Sequence, residues 1–291
     1  MRIFNVSIIL FLTLLIFPPP VFSETADSID ELLKMFDDSK CKDCHEEQYR
    51  QWNESFHARA VVSSLKGMRN FFAIGVPEEW EKKLTKAEVL KCLDCHAPVV
   101  NYASNDLAVK IADMIIEAVD TKSEKKREEL QRELSRLNVG CLGCHNIKAT
   151  SIAKGLYGEP EKDAIYTSNT VISPSHRTIP LNTLNRSLFC SQCHGRYVAP
   201  DGEQIVCNTL NGSYYNAYIS RGGLETCQDC HMKKAGRGHR FPGGHDIEIV
   251  KEGIGFNAEI LGVRHTVGSW IPRAIVHVWI ENRAGHRIPD G

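Results

Sequence analysis

The hydrophobic positions of this chain change period three times. From Ile8 to Phe17 they run together, interrupted only by Thr13, and they stop at Pro18, Pro19 and Pro20. Further on, Leu107, Ile111, Ile115 and Val119 recur at fourfold spacing, which predicts an amphipathic helix. Leu130, Leu134 and Leu137 mark the apolar stripe of a second, highly charged helix over Lys122 to Leu137, whose polar side reads as a solvated face rather than a docking surface. The stretch from Cys41 through Glu46, Tyr49, Trp52 and His57 lacks Pro and Gly and predicts one more helix. After Gly253 the period becomes two, with Ala258 to Val263 and Ala274 to Glu281 alternating as strands do. The expected fold is mainly α with long loops, followed by a β-rich segment over 251–291.

The first apolar run is about 10 residues, short of the roughly 20 that a spanning helix needs. Met1-Arg2 precedes it and Val21-Phe22-Ser23 offers a cleavage site, so residues 1–23 read as a secretory signal peptide, with an uncleaved anchor as the rival. No cysteine near the cut supports lipoprotein processing. The expected mature chain starts at Glu24 and is exported, periplasmic or extracellular.

Composition then narrows the class. With 24% charged and 42% hydrophobic residues the chain is that of a folded protein, and a net charge of −1 excludes the broad cationic surface that nucleic-acid binding needs. Cysteine and histidine stand out, at 11 and 12. Ten of the cysteines fall in five CxxCH motifs: Cys41-Lys42-Asp43-Cys44-His45, Cys92-Leu93-Asp94-Cys95-His96, Cys141-Leu142-Gly143-Cys144-His145, Cys190-Ser191-Gln192-Cys193-His194 and Cys227-Gln228-Asp229-Cys230-His231. This is the attachment signature of c-type haem. Two cysteines three apart share one side of a helical turn, in reach of the two vinyl groups of one porphyrin, and the next histidine can meet the iron. Structural zinc would have to join two Cys pairs and would not need His after every second Cys. Disulfides would leave all five histidines without a use.

Five haem c groups leave about 54 residues of mature chain each, few for a domain of ordinary size, so the haems are expected to form much of the core. Seven histidines lie outside the motifs. His57 lies 12 residues beyond His45, roughly 18 Å along a continuous helix, so it is expected to ligate a neighbouring haem rather than that of His45. His176, His239, His245 and His286 fall in loops or Gly-rich turns and are the other candidate distal ligands, with His245 weaker because His239 is close by. His265 and His277 sit in the alternating strands and read as ordinary strand histidines. Met232, directly after His231, points away from that iron's open face. Cys207, the eleventh cysteine, reads as a buried small hydrophobe, with an intermolecular disulfide or a sulfur-chemistry nucleophile as alternatives.

The run Cys41 through Trp52-Asn53-Glu54-Ser55-Phe56-His57-Ala58 resembles the CxxCH…WxxSxHA signature of the multihaem cytochrome c-552/c-554 family. Cys227 to Met232 followed by His239-Arg240-Phe241-Pro242-Gly243, and the turn Asn282 to Gly291, are similar to segments recurring in the same group, and the resemblance runs loosely from Cys41 to Gly291. It implies electron transfer outside the cytoplasm by mostly bis-histidine haems. That group also has catalytic members, so two readings stand. The first is an electron carrier with a pentahaem domain over 24–250, docking transiently with redox partner proteins, other multihaem cytochromes included. The second is an oxidoreductase of nitrogen or sulfur compounds with one open iron, for which no catalytic residue is named. A lysine in place of a motif histidine, the mark of the pentahaem nitrite reductases, is absent. Haem propionates make the loaded protein more acidic than its sequence, which suits a basic partner patch. An oligomer or haem-stacked filament is a third arrangement. Two strands make no stable sheet alone, so the β segment either leans on the haem domain or opens a domain that this chain truncates, the second being the expectation.

Overall fold

The computed structural model describes residues 25–155, 158–161, 163–195, 197–198, 204–205 and 209–289. Residues 1–23, read from the sequence as an export signal, and Cys207 lie outside them. The described part is mainly helical, 55% helix against 15% strand, and none of its helices is long and apolar enough to cross a membrane.

The first half carries its own apolar core. Helix α1 (Ile29–Met35) starts at Ser28, whose hydroxyl accepts the Glu31 N–H at 3.2 Å while Glu31 reaches back to the Asp27 N–H at 2.7 Å, a reciprocal cap. Then follow α2 (Glu46–Glu54), α3 (Leu65–Asn70), a π-helical turn (Phe71–Glu79) and α4 (Lys86–His96), which ends in the second motif. Helices α5 (Asn105–Asp120) and α6 (Glu124–Leu134) form a packed pair, capped by Ser104 and Ser123. The two apolar stripes read from the sequence face inward: Leu107, Ile111, Ile115, Leu130, Leu134 and Leu137 are all buried with Leu32, Val61, Phe72, Val89 and Leu93. The charged helix is shorter than Lys122 to Leu137, because Ser123 takes the N-cap and the chain leaves the helix at Ser135.

Beyond residue 147 protein packing thins sharply. The cluster there consists of Ala149, Tyr166 and Leu184, joined at its edge by Ile179, Leu181 and Phe189. In the first half, by contrast, α5 and α6 supply an ordinary helical core of protein side chains. The elements beyond residue 147 are small: α7 (Ala149–Lys154), the parallel pair β1 (Ala164–Thr167) and β2 (Arg177–Pro180), α8 (Ser187–Cys190), the pair β3 (Tyr197–Val198) and β4 (Gln204–Ile205), α9 (Leu210–Ala217) and α10 (Ile247–Gly253).

The C-terminal strands are longer than the alternation indicated. Strands β5 (Ile254–Thr266) and β6 (Ser269–Asn282) pair antiparallel, with a register shift between Leu261 and Val263. One face carries the cross-strand pairs Phe256/Ile280, Ala258/Val278 and Ile260/Val276, and the other carries Glu259/His277 and Asn257/Trp279. Both are solvent-exposed beyond Gly255. The hairpin does not lean on the helical part along its length. Its two histidines are strand residues as expected: His265 lies 4.7 Å from the Trp270 ring, and His277 contacts Glu259 at 3.2 Å.

Candidate functional site

Each CxxCH motif is one tight helical turn. In the first, the His45 N–H donates to the Cys41 carbonyl at 2.8 Å, and in the fourth the His194 N–H donates to the Cys190 carbonyl at 2.9 Å. The second ends α4, and the third and fifth run into π-helical turns, Gly143–Lys148 and Asp229–Lys233. In every case both cysteines and the histidine lie on one short, locally bonded helical segment, as attachment to one macrocycle requires.

Four of the five motif histidines face a second histidine at nearly one distance. Ring centroids are 6.4 Å apart for His45 and His176, 6.1 Å for His57 and His194, 6.3 Å for His145 and His239, and 6.3 Å for His231 and His286. Direct stacking would bring rings closer. A metal between two imidazole nitrogens, each about 2 Å away, puts ring centres about 6 Å apart, so these pairs fit one iron each. His145 also donates through Nδ1–H to the Tyr166 carbonyl (2.8 Å), and His231 through Nδ1–H to the Pro242 carbonyl (2.8 Å). As donors, those Nδ1–H groups fix the rings and leave Nε2 for the iron.

His96 is different. Its Nδ1–H donates to the Ala60 carbonyl at 2.9 Å, the same support that His145 and His231 have. Among the described residues, which include all 12 histidines, no second histidine ring pairs with it at the 6.1–6.4 Å separation of the other four, although His57 and His194 are near enough to interact with it electrostatically. His245, the other candidate ligand, stacks on Phe56 at 4.0 Å instead of facing a motif histidine. The flat Phe56 ring gives it an apolar partner, and His239 already occupies the side facing His145.

Helix α2 positions two of the facing histidines. The expected single helix from Cys41 to His57 is broken: a 3₁₀ segment (Asp38–Asp43) carries the first cysteine, α2 ends at Glu54, and Ser55 is extended. The break frees His57 to turn away. From α2, the buried Trp52 donates through Nε1 to the Val139 carbonyl at 2.8 Å, and the Val139 N–H donates to the His57 carbonyl at 3.0 Å. One residue earlier, Gln51 accepts the His239 N–H at 2.8 Å. Gly238, at φ 56°, lets this approach happen, since a Cβ there would stand 2.0 Å from the Gln51 oxygen. His176 directly precedes β2, which pairs with β1, so the ladder that presents the Tyr166 carbonyl to His145 also presents His176 to His45.

The motifs also touch one another. The Cys41 and Cys141 sulfurs lie within 4.8 Å of each other and of an Asp38 oxygen, Cys95 and Cys193 are within hydrogen-bonding reach, and so are Cys190 and Cys227. The first trio has the residue types of a cation site, but both cysteines belong to CxxCH turns. Asp38 instead caps the third motif, accepting the Leu142 N–H at 2.7 Å, and burial pushes its pKa up to about 6 against the opposing pull of the Leu142 and Cys141 N–H groups. Between motifs two and three, Lys148 meets Asp94 at 2.6 Å with both side chains nearly buried, and Asn101 donates to the same carboxylate at 2.6 Å. Burial lowers the basicity of His57, pushing its pKa down to about 4, with His194 and His96 adding to the effect. Nitrogen atoms held neutral are the form a metal binds.

Residues 40–113 match the family model described as cytochrome c554 and c-prime. No curated protein and no solved structure gives a significant match.

Proposed function

We propose that this chain, whose residues 40–113 match the family model described as cytochrome c554 and c-prime, carries electrons between redox proteins outside the cytoplasm through five covalently held haems. Haem-based electron transfer follows from the family; the count, the ligands and the setting are this reading. Bound haem supplies one-electron iron redox chemistry, and the protein's part is to hold it, close it and space it. Cys41 and Cys44, Cys92 and Cys95, Cys141 and Cys144, Cys190 and Cys193, and Cys227 and Cys230 would attach the five groups. His45, His96, His145, His194 and His231 would each bind one iron, with His176, His239, His57 and His286 as second ligands for the first, third, fourth and fifth.

The repeated histidine spacing near 6 Å carries the proposal, since four independent pairs share a separation that ring packing does not require. The sulfur contacts add a route. They join motif one to three, two to four and four to five. Lys148, just beyond the third motif, meets Asp94 of the second at 2.6 Å, which links two to three. All five motifs then form one connected series.

A second reading rests on His96. With no histidine facing it, the second motif is the place where a small ligand could reach the iron, as an oxidoreductase of nitrogen or sulfur compounds requires. A reductive titration of the purified protein tests both. The carrier reading expects five one-electron equivalents and no turnover of nitrite, hydroxylamine or tetrathionate. Fewer equivalents contradict the five-haem count, and turnover moves the function to the second motif.

A further inference from the structure

The four facing histidine pairs share a distance but not an orientation. Their ring planes differ by 17° for His231 and His286, 32° for His145 and His239, and 42° for His45 and His176, whereas His57 and His194 are crossed at 69°. Phe241 stands against the distal rings of two of these pairs, and closer against that of the crossed one. Phe241 meets His57 edge-on, centroids 4.6 Å apart and planes at 78°, and on its other side meets His239 at 5.7 Å and 81°. Its backbone is left-handed, φ 45° and ψ 57°, a conformation that costs a non-glycine residue of order 1 kcal/mol or more. The turn is held by its neighbours: Arg240 bonds Glu54 at 3.2 Å, and the Pro242 carbonyl meets the His231 Nδ1.

We propose that Phe241 is a positioning residue, a wedge between the His57 and His239 rings that keeps His57 crossed over His194 and so gives the fourth haem an axial geometry unlike the others. This rests on the reading that His57 and His194 share one iron. A near-square arrangement of two flat ligands matters physically. Parallel imidazoles interact unequally with the two iron d orbitals of π symmetry, whose lobes lie above and below the porphyrin plane, and split them. Crossed imidazoles interact with both nearly equally and leave them close in energy. In the oxidised low-spin state, the first gives a rhombic electron paramagnetic resonance spectrum and the second a single, strongly anisotropic low-field feature. One ring contact thus distinguishes one haem in a series of similar ones.

The test uses the haem-loaded protein. The wild type is expected to show one strongly anisotropic low-spin species beside rhombic ones. Phe241→Gly keeps the left-handed turn, which glycine adopts without strain, and removes the wedge. It is expected to convert that species to a rhombic one while the number of low-spin haems stays the same. Phe241→Tyr restores the edge contact and is expected to keep the wild-type signal. An anisotropic signal unchanged in Phe241→Gly overturns the wedge. His57→Ala separates the two levels: if that variant keeps the anisotropic species, His57 is not a ligand of that haem and the underlying assignment fails, irrespective of Phe241.

Discussion

His231 and His286 hold their imidazole rings 6.3 Å apart and only 17° from parallel, although one belongs to the fifth motif and the other to a turn beyond the C-terminal hairpin. The His286 Nδ1 meets the Arg287 carbonyl at 2.9 Å, and the Arg287 N–H donates to Ser213 on α9 at 3.3 Å, so the turn is pinned to the helical part next to the motif it serves. Replacing His286 by Ala is expected to convert one low-spin haem equivalent to a high-spin form that binds carbon monoxide. Absorption difference spectra of the reduced protein with and without carbon monoxide measure this. An unchanged spectrum would remove His286 from the ligand set.

Trp52 links α2 to the segment that presents His57. Trp52→Phe leaves the buried Val139 carbonyl without its donor, and an unsatisfied buried acceptor costs about 1–3 kcal/mol. Chemical denaturation is expected to show that loss with the haem complement intact. A stability equal to wild type would mean that the indole hydrogen bond does not hold this junction.

These two cases show what the sequence conveys and what it hides. The five motifs, the α5 and α6 stripes and the strand character of His265 and His277 were legible because each depends on spacing within a few residues. The pairing of His57 with His194, or of His176 with His45, depends on the α2 break at Ser55 and on the β1–β2 ladder, which are tertiary outcomes. His239 and His245 lie in one Gly-rich segment and look interchangeable as letters. Gly238 decides between them, because its positive φ brings the His239 N–H onto Gln51, while His245 ends against Phe56. The solitary position of His96 left no mark in the sequence, since seven histidines outside the motifs seemed sufficient for five irons.

The Lys148–Asp94 pair joins motifs two and three in surroundings from which water is largely excluded. Lys148→Met strands the Asp94 charge with Asn101 as its remaining donor among the described residues, and breaking a buried pair from one side costs about 3–5 kcal/mol. The double variant Lys148→Met with Asp94→Leu removes the stranded charge and is expected to recover much of that loss. Thermal unfolding of the two proteins measures it. Equal destabilisation in both would show that the lysine acts through packing.

Asp38 gives the fold a pH dependence of defined sign. Its folded pKa, pushed up to about 6 by burial, lies above the ordinary 3.8. The folded state therefore holds this proton more tightly, and the contribution is fully present below pH 3.8 and lost as pH rises through 6. The loss is on the order of 2–3 kcal/mol. Asp38→Asn keeps an acceptor for the Leu142 N–H and is expected to flatten this part of the stability profile between pH 4 and pH 6.5. Parallel profiles for the two proteins would remove Asp38 as the source.

The central claim is a series of five haems of which four are closed by histidine on both sides and the one on His96 is not. Spin quantitation of the fully oxidised protein by electron paramagnetic resonance tests it most directly. The account predicts four low-spin ferric haems to one high-spin haem, with the high-spin signal alone altered by nitrite or another small anion. Five low-spin haems, or more than one high-spin haem in the unmodified protein, would contradict it.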